Sequence, residues 1–513
     1  MDTKALRQKI LDLAIRGKLV PQDPNDEPAA ALLEKIREQK QQMVKEGKLK
    51  KKDIKNDSVI FVGEDNLHYE KFADGTVKCI EDEIPFELPD GWCWARLGSI
   101  ANIVTGRLDA NAQTKDGAYP FFTCGEEVFK TDSYAFDCNA ILLGGNNATG
   151  DFKMHKFSGK FNAYQRVYVI TTFPEIDVDY LYNHIRYYLP RLQSQSIGSQ
   201  TRYLKLGMIT GLLIALPTFC EQKTISRACD KYINYCTEIA SEKNELKRIL
   251  KDTKSKILDL AIRGQLVPQN PDDEPASVLL GRIRAQKEEL IKQGKSKRDK
   301  KESIIFKGED NSYYEIVEKN KIRIDEKIPF ELPDGWTWTR LRNTTQFIRN
   351  GASIKQYGDA SGLPITRIET ISTGEIDRNR FGYADIFELS KYESYVMEDY
   401  DILMSHINSP KHLGKCALYR QIDNEVVIHG MNLLSIRPVI CELAEYLCVV
   451  FRSNYFKDFV WENMKQAVNQ ASITTTSISE FLLPMPPHEE LKQIIKNSNK
   501  MSNIIDNISE EVL

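Results

Sequence analysis

Lys9–Gln22 reads KILDLAIRGKLVPQ and Lys256–Gln269 reads KILDLAIRGQLVPQ, the two differing only at Lys18 against Gln265. A second pair follows, IPFELPDGWCWARL at Ile84–Leu97 and IPFELPDGWTWTRL at Ile328–Leu341, differing only at Cys93/Thr337 and Ala95/Thr339. Repetition at a spacing of about half the chain identifies a tandem duplication. Between the repeated blocks, Gly98–Leu216 and Arg342–Pro484 have almost nothing in common. A frame held constant around two unlike inserts fits a protein that reads two different things at a set separation. A two-site enzyme would repeat its catalytic residues instead.

The frame is helical. From Glu221 to Arg263, residues Ile225, Cys229, Tyr232, Cys236, Ile239, Leu246, Leu250, Ile257 and Leu260 recur in steps of four and three, interrupted only at Lys243 and Thr253. That is a coiled-coil seam. Gly264 supplies a C-terminal cap and Pro268 blocks continuation, so the spacing predicts one helix of roughly 40 residues, about 60 Å long. Near the C-terminus, Leu491, Ile494, Ser498, Met501, Ile505, Ile508 and Val512 carry the same rhythm, and Leu6, Ile10 and Leu13 resume it before Gly17 and Pro21. The two terminal pieces together approach the length of the central helix. The N-terminal helix therefore reads as the displaced end of the second module, with the termini meeting and the molecule pseudo-twofold. An antiparallel partner helix would complete the seam.

After each VPQ, a proline opens a second helix, Pro28–Lys45 and Pro275–Lys292, which runs into a basic tail, GKLKKKDIK from Gly47 and GKSKRDKK from Gly294. Such runs are either solvated surface or contacts to phosphate or a partner, and both readings stay open. Gly63-Glu64-Asp65-Asn66 and Gly308-Glu309-Asp310-Asn311, flanked by Ile60-Phe61 and Ile305-Phe306, read as turns between short strands rather than metal loops. Pro89-Asp90-Gly91 and Pro333-Asp334-Gly335 read as tight turns. The alternating Trp92/Trp94 and Trp336/Trp338 read as core residues anchoring each insert to the frame.

The inserts carry short strand-like runs at Asn139–Leu143, Arg166–Ile170, Asp401–Met404 and Glu425–Ile428, and helical stretches at Asp179–Leu192 and Leu443–Met464. The expected class is α+β, with two mixed, strand-rich domains separated by a long antiparallel two-helix coiled coil, pseudo-twofold and circularly arranged. The expected organisation runs from an N-terminal helix (1–22) through a helical and basic connector (23–83) to the first variable domain (84–217). The central helix (218–269), a second connector (270–327), the second variable domain (328–487) and the distal helix (488–513) follow.

With 513 residues, 28% of them charged and a net charge of −3, the chain has the balance of a soluble protein of two to four domains and not that of a histone-like binder. Nothing approaches the roughly 18 apolar residues of a membrane span, and MDTKALRQKI lacks the apolar centre of a signal peptide. A cytoplasmic location is expected. Ten cysteines without a CxxC pair and seven scattered histidines indicate neither a disulfide framework nor a zinc site.

Chemistry suited to base edges and phosphates sits in the loops of the inserts. In the first, the candidates are Arg107, Lys153, His155, Lys156, Gln165, Arg166, Gln200, Thr201 and Arg202. In the second they are Lys355, Gln356, Thr366, Arg367, Asn408, Ser409, Lys411, His412, Asn469 and Gln470. Arg and Lys match guanine, Asn and Gln match adenine, and lysines neutralise phosphates.

These repeats carry a resemblance. LDLAIRGKLVPQDPNDEPA at Leu11–Ala29, its copy at Leu258–Ala276, and the IPFELPDGW blocks resemble the repeated regions of the DNA-specificity subunits of type I restriction–modification enzymes, over essentially the whole chain. The resemblance implies two target-recognition domains, each reading one half of a bipartite, asymmetric duplex DNA site, with the paired helices setting the gap. It also implies two methyltransferase subunits docking on the repeated regions, and restriction/translocase subunits joining them. S-adenosylmethionine, ATP and magnesium would then belong to the partners, and no cofactor or metal to this chain. The residues agree: Gly145–Gly150 lacks the Lys-Ser/Thr of a phosphate loop, and Pro486-Pro487 lacks the Asn or Asp that precedes an adenine-methylation motif. A self-contained nuclease or methyltransferase would need such a motif, whereas a scaffold binding only partner subunits would not need unlike inserts.

Overall fold

The computed structural model describes residues 2–51, 54–299, 301–356, 362–386, 388–467 and 470–512. The chain divides into two units, Met1–Glu242 and Lys243–Leu513. Both are mixed α/β, and each begins with the same local instructions.

In the first unit, Asp2 caps α1 (Thr3–Ile15) by accepting the N–H groups of Lys4 and Ala5. Gly17 ends the helix at φ +64°. After α2 (Ala29–Lys45) come β1 (Ser58–Val62), β2 (His68–Phe72) and β3 (Val77–Cys79), an antiparallel sheet whose first turn holds Asn66 at φ +61°. β4 (Cys93–Arg96) and the single turn α3 (Leu97–Ile100) lead into the insert.

The insert is built on β5 (Ala101–Thr105), β6 (Tyr119–Phe122), β7 (Val128–Thr131), β8 (Phe136–Gly144), the two-residue β9 (Asn146–Asn147), β10 (Met154–Ala163) and β11 (Val167–Thr172). Six of these strands form one sheet in the order β5-β11-β8-β10-β6-β7, antiparallel except where β10 meets β6. Side chains alternate across it: Ile141 and Leu143 face α4 (Val178–Gln195), through Leu181, Ile185 and Leu192. Ala140 and Leu142 face a second layer with Phe122 and Phe161. The two-residue β12 (Arg202–Tyr203), the short α5 (Leu206–Thr210) and β13 (Leu213–Leu216) close the insert, β13 pairing back onto β4.

α6 runs unbroken from Phe219 to Ile262. Its first part belongs to the first unit, where Ile225, Cys229, Ile233 and Cys236 pack with Ile10, Leu11 and Ala14 of α1 and with Trp92 and Trp94. The buried position is Ile233 and not the expected Tyr232, which is 42% exposed. A straight helix of 3.6 residues per turn drifts off a strict 3.5 seam, and burial follows that drift here.

The second unit repeats the plan. Ala261 and Ile262 at the end of α6 pack with Trp336 and with Leu491 and Ile494 of α12 (His488–Val512). α7 (Ala276–Lys292) precedes the hairpin sheet β14 (Ser303–Lys307), β15 (Tyr313–Val317), β16 (Asn320–Arg323). β17 (Thr337–Arg340) and the turn α8 (Leu341–Thr344) open the second insert. Its strands are β18 (Thr345–Asn350), β19 (Leu363–Ile365), β20 (Gly382–Ala384), β21 (Ile402–Ser405), β22 (Ile407–Asn408), β23 (Cys416–Leu418) and β24 (Leu433–Pro438). A four-stranded sheet, β18-β24-β21-β23, is covered by α9 (Glu442–Arg452). α10 (Asn454–Asn463), β25 (Lys465–Ala467), β26 (Gln470–Ser472), α11 (Thr475–Ser479) and β27 (Leu482–Met485) follow, and β27 pairs onto β17.

Two further expectations need correction. Leu443–Met464 is two helices and not one, because Ser453 leaves helical geometry at ψ 160° and its hydroxyl caps the second by accepting the Phe456 N–H. Glu425–Ile428 forms no strand. Only Ile428 makes isolated bridges, to Ile365 and Val396, while Glu425 is taken up by Arg378 and Tyr419. The turns at Asn66 and Asn311, both at φ +61°, lie where the sequence puts them.

Candidate nucleic-acid interface

The loops of the first insert are drawn together by backbone bonds. Arg107 follows β5, and its N–H donates to Ala163 O at 3.1 Å. Gln165 donates its own N–H to Leu108 O and its amide to Asp109 Oδ1 at 2.7 Å. Arg166 lies next to it in the turn between β10 and β11, and its carbonyl accepts from Gly145 N at 2.7 Å, so β9 is tied to the same turn. Arg202 pairs with Asn147 across β12 and β9, and its guanidinium reaches Gln193 O and Ser196 Oγ at 3.3 Å. Arg107 and Arg166 are both exposed, and neither guanidinium has an ion-pair or hydrogen-bond partner among the described residues. Gln200 and Thr201, just before Arg202 in the chain, are exposed. The other candidates are engaged. Lys153 is paired with Asp151 at 2.8 Å, Lys156 with Asp179, and His155 Nε2 lies 3.0 Å from Gly125 O.

In the second insert, Arg367 Nε donates to Gln356 Oε1 at 2.7 Å, and Lys355 is exposed nearby in sequence. Asn408, on β22, uses both ends of its amide, donating to Ser405 Oγ and accepting the Ser409 N–H. Lys411 and Gln470 are exposed, and Ser409 and His412 half-buried. Thr366 is only 1% exposed and its hydroxyl accepts the Gly430 N–H at 2.9 Å, which leaves it no face for a base edge. Asn469 lies outside the described residues.

Beneath each insert the repeated blocks build the same joint twice. Trp92 Nε1 donates to Glu221 Oε2 at 2.9 Å, and Trp336 Nε1 to Glu490 Oε2 at 2.8 Å. Gln269 adds a bond to Glu490 Oε1 at 2.7 Å. Burial holds both carboxyls above their usual range, opposed by the tryptophan and by Gln22 or Gln269. Arg96–Glu70 and Arg340–Glu315, each 2.7 Å, brace the hairpin sheets against β4 and β17. In the basic tails, Lys48 pairs with Glu46 and Arg298 with Glu288, so these cations are partly neutralised locally. Lys52, Asp53 and Lys300 lie outside the described residues.

Residues 89–248 match the family described as the type I restriction modification DNA specificity domain. The chain is 28% identical to the EcoDI specificity subunit of Escherichia coli over 433 residues, covering 83% of this chain and 84% of that one. It is 26% identical to the EcoAI specificity subunit of Escherichia coli, covering 98% and 90%. Over most of its length the chain is thus similar to type I restriction enzyme specificity subunits. A solved structure described under complex assembly and conformational transition of the type I restriction–modification system shares its fold at a TM-score of 0.50, with 13% identity over 83% of this chain and 94% of that chain.

Within this chain the two inserts have more in common than their sequences suggest. Asn146–Asn147 follows β8 and pairs with Arg202–Tyr203; Ile407–Asn408 follows β21 and pairs with Ala471–Ser472. In both, the partner strand leads into a short helix and then into the strand that returns to the joint. Sequence reasoning passed over Asn146 and Asn147, because a two-residue strand has no periodicity to detect. The clue was available in ILLGGNN against ILMSHIN, where each apolar run is followed by asparagine.

Proposed function

We propose that this chain reads a bipartite, asymmetric duplex DNA site, one half through the insert of 84–217 and the other through that of 328–487, and performs no chemistry itself. One observation carries this: the joint of tryptophan, glutamate and left-handed glycine is duplicated to within 0.1 Å in its central bond, while the loops mounted on it differ. A scaffold that bound only protein partners would have no use for unlike loops on like joints. Exposed Arg107 and Arg166, without partners among the described residues, supply guanidinium forks for guanine edges in the major groove, and the exposed Lys355 and Lys411 of the second insert fix register on phosphates.

α12 and α1 together form the antiparallel counterpart of α6, bringing the termini together in a pseudo-twofold, circular arrangement and setting the gap between half-sites. Two methyltransferase subunits dock on the repeated regions and flip the target adenine out of the duplex, and restriction/translocase subunits join them. S-adenosylmethionine, ATP and Mg²⁺ sit on those partners. Among the described residues no group of His, Cys, Asp and Glu could hold a metal, and no helix is long and apolar enough to cross a membrane.

The test is adenine-methylation mapping in cells carrying this chain with its methyltransferase, before and after residues 98–217 are exchanged for an unrelated insert. A two-part motif in which only one part changes is the expected result. A motif without two parts, or one untouched by the exchange, overturns the reading.

A further inference from the structure

The duplication supplies an internal control that singles out one cavity. Lys40 on α2 and Lys287 on α7 occupy the same place in EQK and AQK, and their side chains are equally deep, at 5% and 4% exposed. In the first unit the Lys40 ammonium is satisfied by both oxygens of Asp57, at 2.9 and 2.8 Å, and by Gly98 O at 3.0 Å. In the second, Lys287 keeps only the equivalent carbonyl, Arg342 O at 2.6 Å. The residue in the place of Asp57 is Glu302, and its carboxylate is turned to Arg284 at 3.6 Å. Lys287 thus has no carboxylate partner among the described residues. A buried ammonium with one of its three donors used is costly unless an anion completes it. Burial accordingly lowers its pKa from the usual lysine value.

Lys287 opens onto a cavity of about 200 Å³ that also presents Lys297, Thr475 and Thr476. Lys297 makes no ion pair among the described residues, and the Thr475 and Thr476 hydroxyls have no hydrogen-bond partner there. One carboxylate, Asp299, lines the same cavity and offsets part of this charge, while Arg342 is already held by Glu480. Glu302, outside the lining, also acts on Lys287 through its charge, but the lining itself carries two lysines against one aspartate and so is net cationic, with hydroxyl donors at its rim.

We propose that this cavity binds a phosphate-class oxyanion, with the Lys287 ammonium at its floor and Lys297, Thr475 and Thr476 around it, where the first unit carries its own anion as Asp57. A free phosphate and a phosphate of the DNA backbone share this chemistry.

The test titrates inorganic phosphate into the full chain at constant ionic strength, following the ³¹P linewidth, for wild type, Lys287→Met and Lys297→Ala. Saturable binding in wild type, weakened about tenfold or more in the variants, is expected, since each removes a charge-assisted bond. Absence of saturable binding, or equal binding in every protein, overturns the site. Should Lys287→Met fail to fold, the exposed Lys297→Ala decides alone. Adding duplex DNA then separates the sources: displacement of phosphate assigns the cavity to the DNA backbone, and simultaneous binding assigns it to free phosphate.

Discussion

Gly17 and Gly264 hold the same φ of +64°, and a Cβ built on either would stand 2.6 Å from the Cγ of Pro89 or Pro333. Each LDLAIRG helix therefore stops where its glycine lets the LPDGW turn close over it. Gly17→Ala or Gly264→Ala combines left-handed strain with that clash and is expected to cost about 1–3 kcal/mol, read as a lower denaturant midpoint. His184 makes a second prediction. It is fully buried between Tyr180 and Tyr188, and burial pulls its pKa from 6.5 to about 3. The folded state refuses the proton that the unfolded chain accepts, so stability present above pH 6.5 falls progressively as the pH drops toward 3. The slope should approach about 1.4 kcal/mol per pH unit in that window. In His184→Gln the slope between pH 6.5 and about 4.5 should flatten, as unfolding midpoints across that range would record. The glycines were legible as helix ends in the sequence. His184 was not, since nothing local says that the face of α4 bearing it is turned to the Leu213 backbone of β13.

Among the elements, the joint and the loops proposed to read DNA separate cleanly by experiment. Trp92→Phe and Trp336→Phe each remove an indole N–H from a buried carboxylate, at an expected cost of about 1–3 kcal/mol and of similar size in the two units. Unequal costs would show that the duplicated joints are not energetically alike. Arg107→Ala and Arg166→Ala leave no ion pair broken, so stability should hold while DNA affinity falls by about 1–3 kcal/mol for each guanine that goes unread. Binding isotherms at fixed salt, with a melting curve for each variant, check both halves of that statement. Helix α6 and the strands at β8, β11 and β21 follow from apolar periodicity, which is a local property. The break at Ser453 and the absence of a strand at Glu425 do not, because a capping hydroxyl and an Arg378 ion pair overrode the apolar pattern there.

For the whole molecule, the proposed ruler gives a length prediction. One added heptad after Lys243 keeps the buried stripe of α6 within about 20° of its phase and lengthens it by about 10 Å at 1.5 Å per residue. The gap between half-sites should widen by about three base pairs at roughly 3.4 Å each. Methylation mapping of that variant should record the wider gap with both half-sites unchanged in sequence; an unaltered gap would remove α6 from the measuring role. The sequence by itself determined the duplication, the frame helices, the paired turns and the tryptophans beneath the inserts, because repeated words and helical spacing need no tertiary context. Only the tertiary structure decided which polar loop residues are available. It buried Thr366, neutralised Lys153 and Lys156, left Arg107 and Arg166 without partners among the described residues, and gave Lys40 a carboxylate that it withheld from Lys287. Those outcomes depend on where a neighbour distant in the chain points its side chain, and pairing across such distances leaves no local pattern to read.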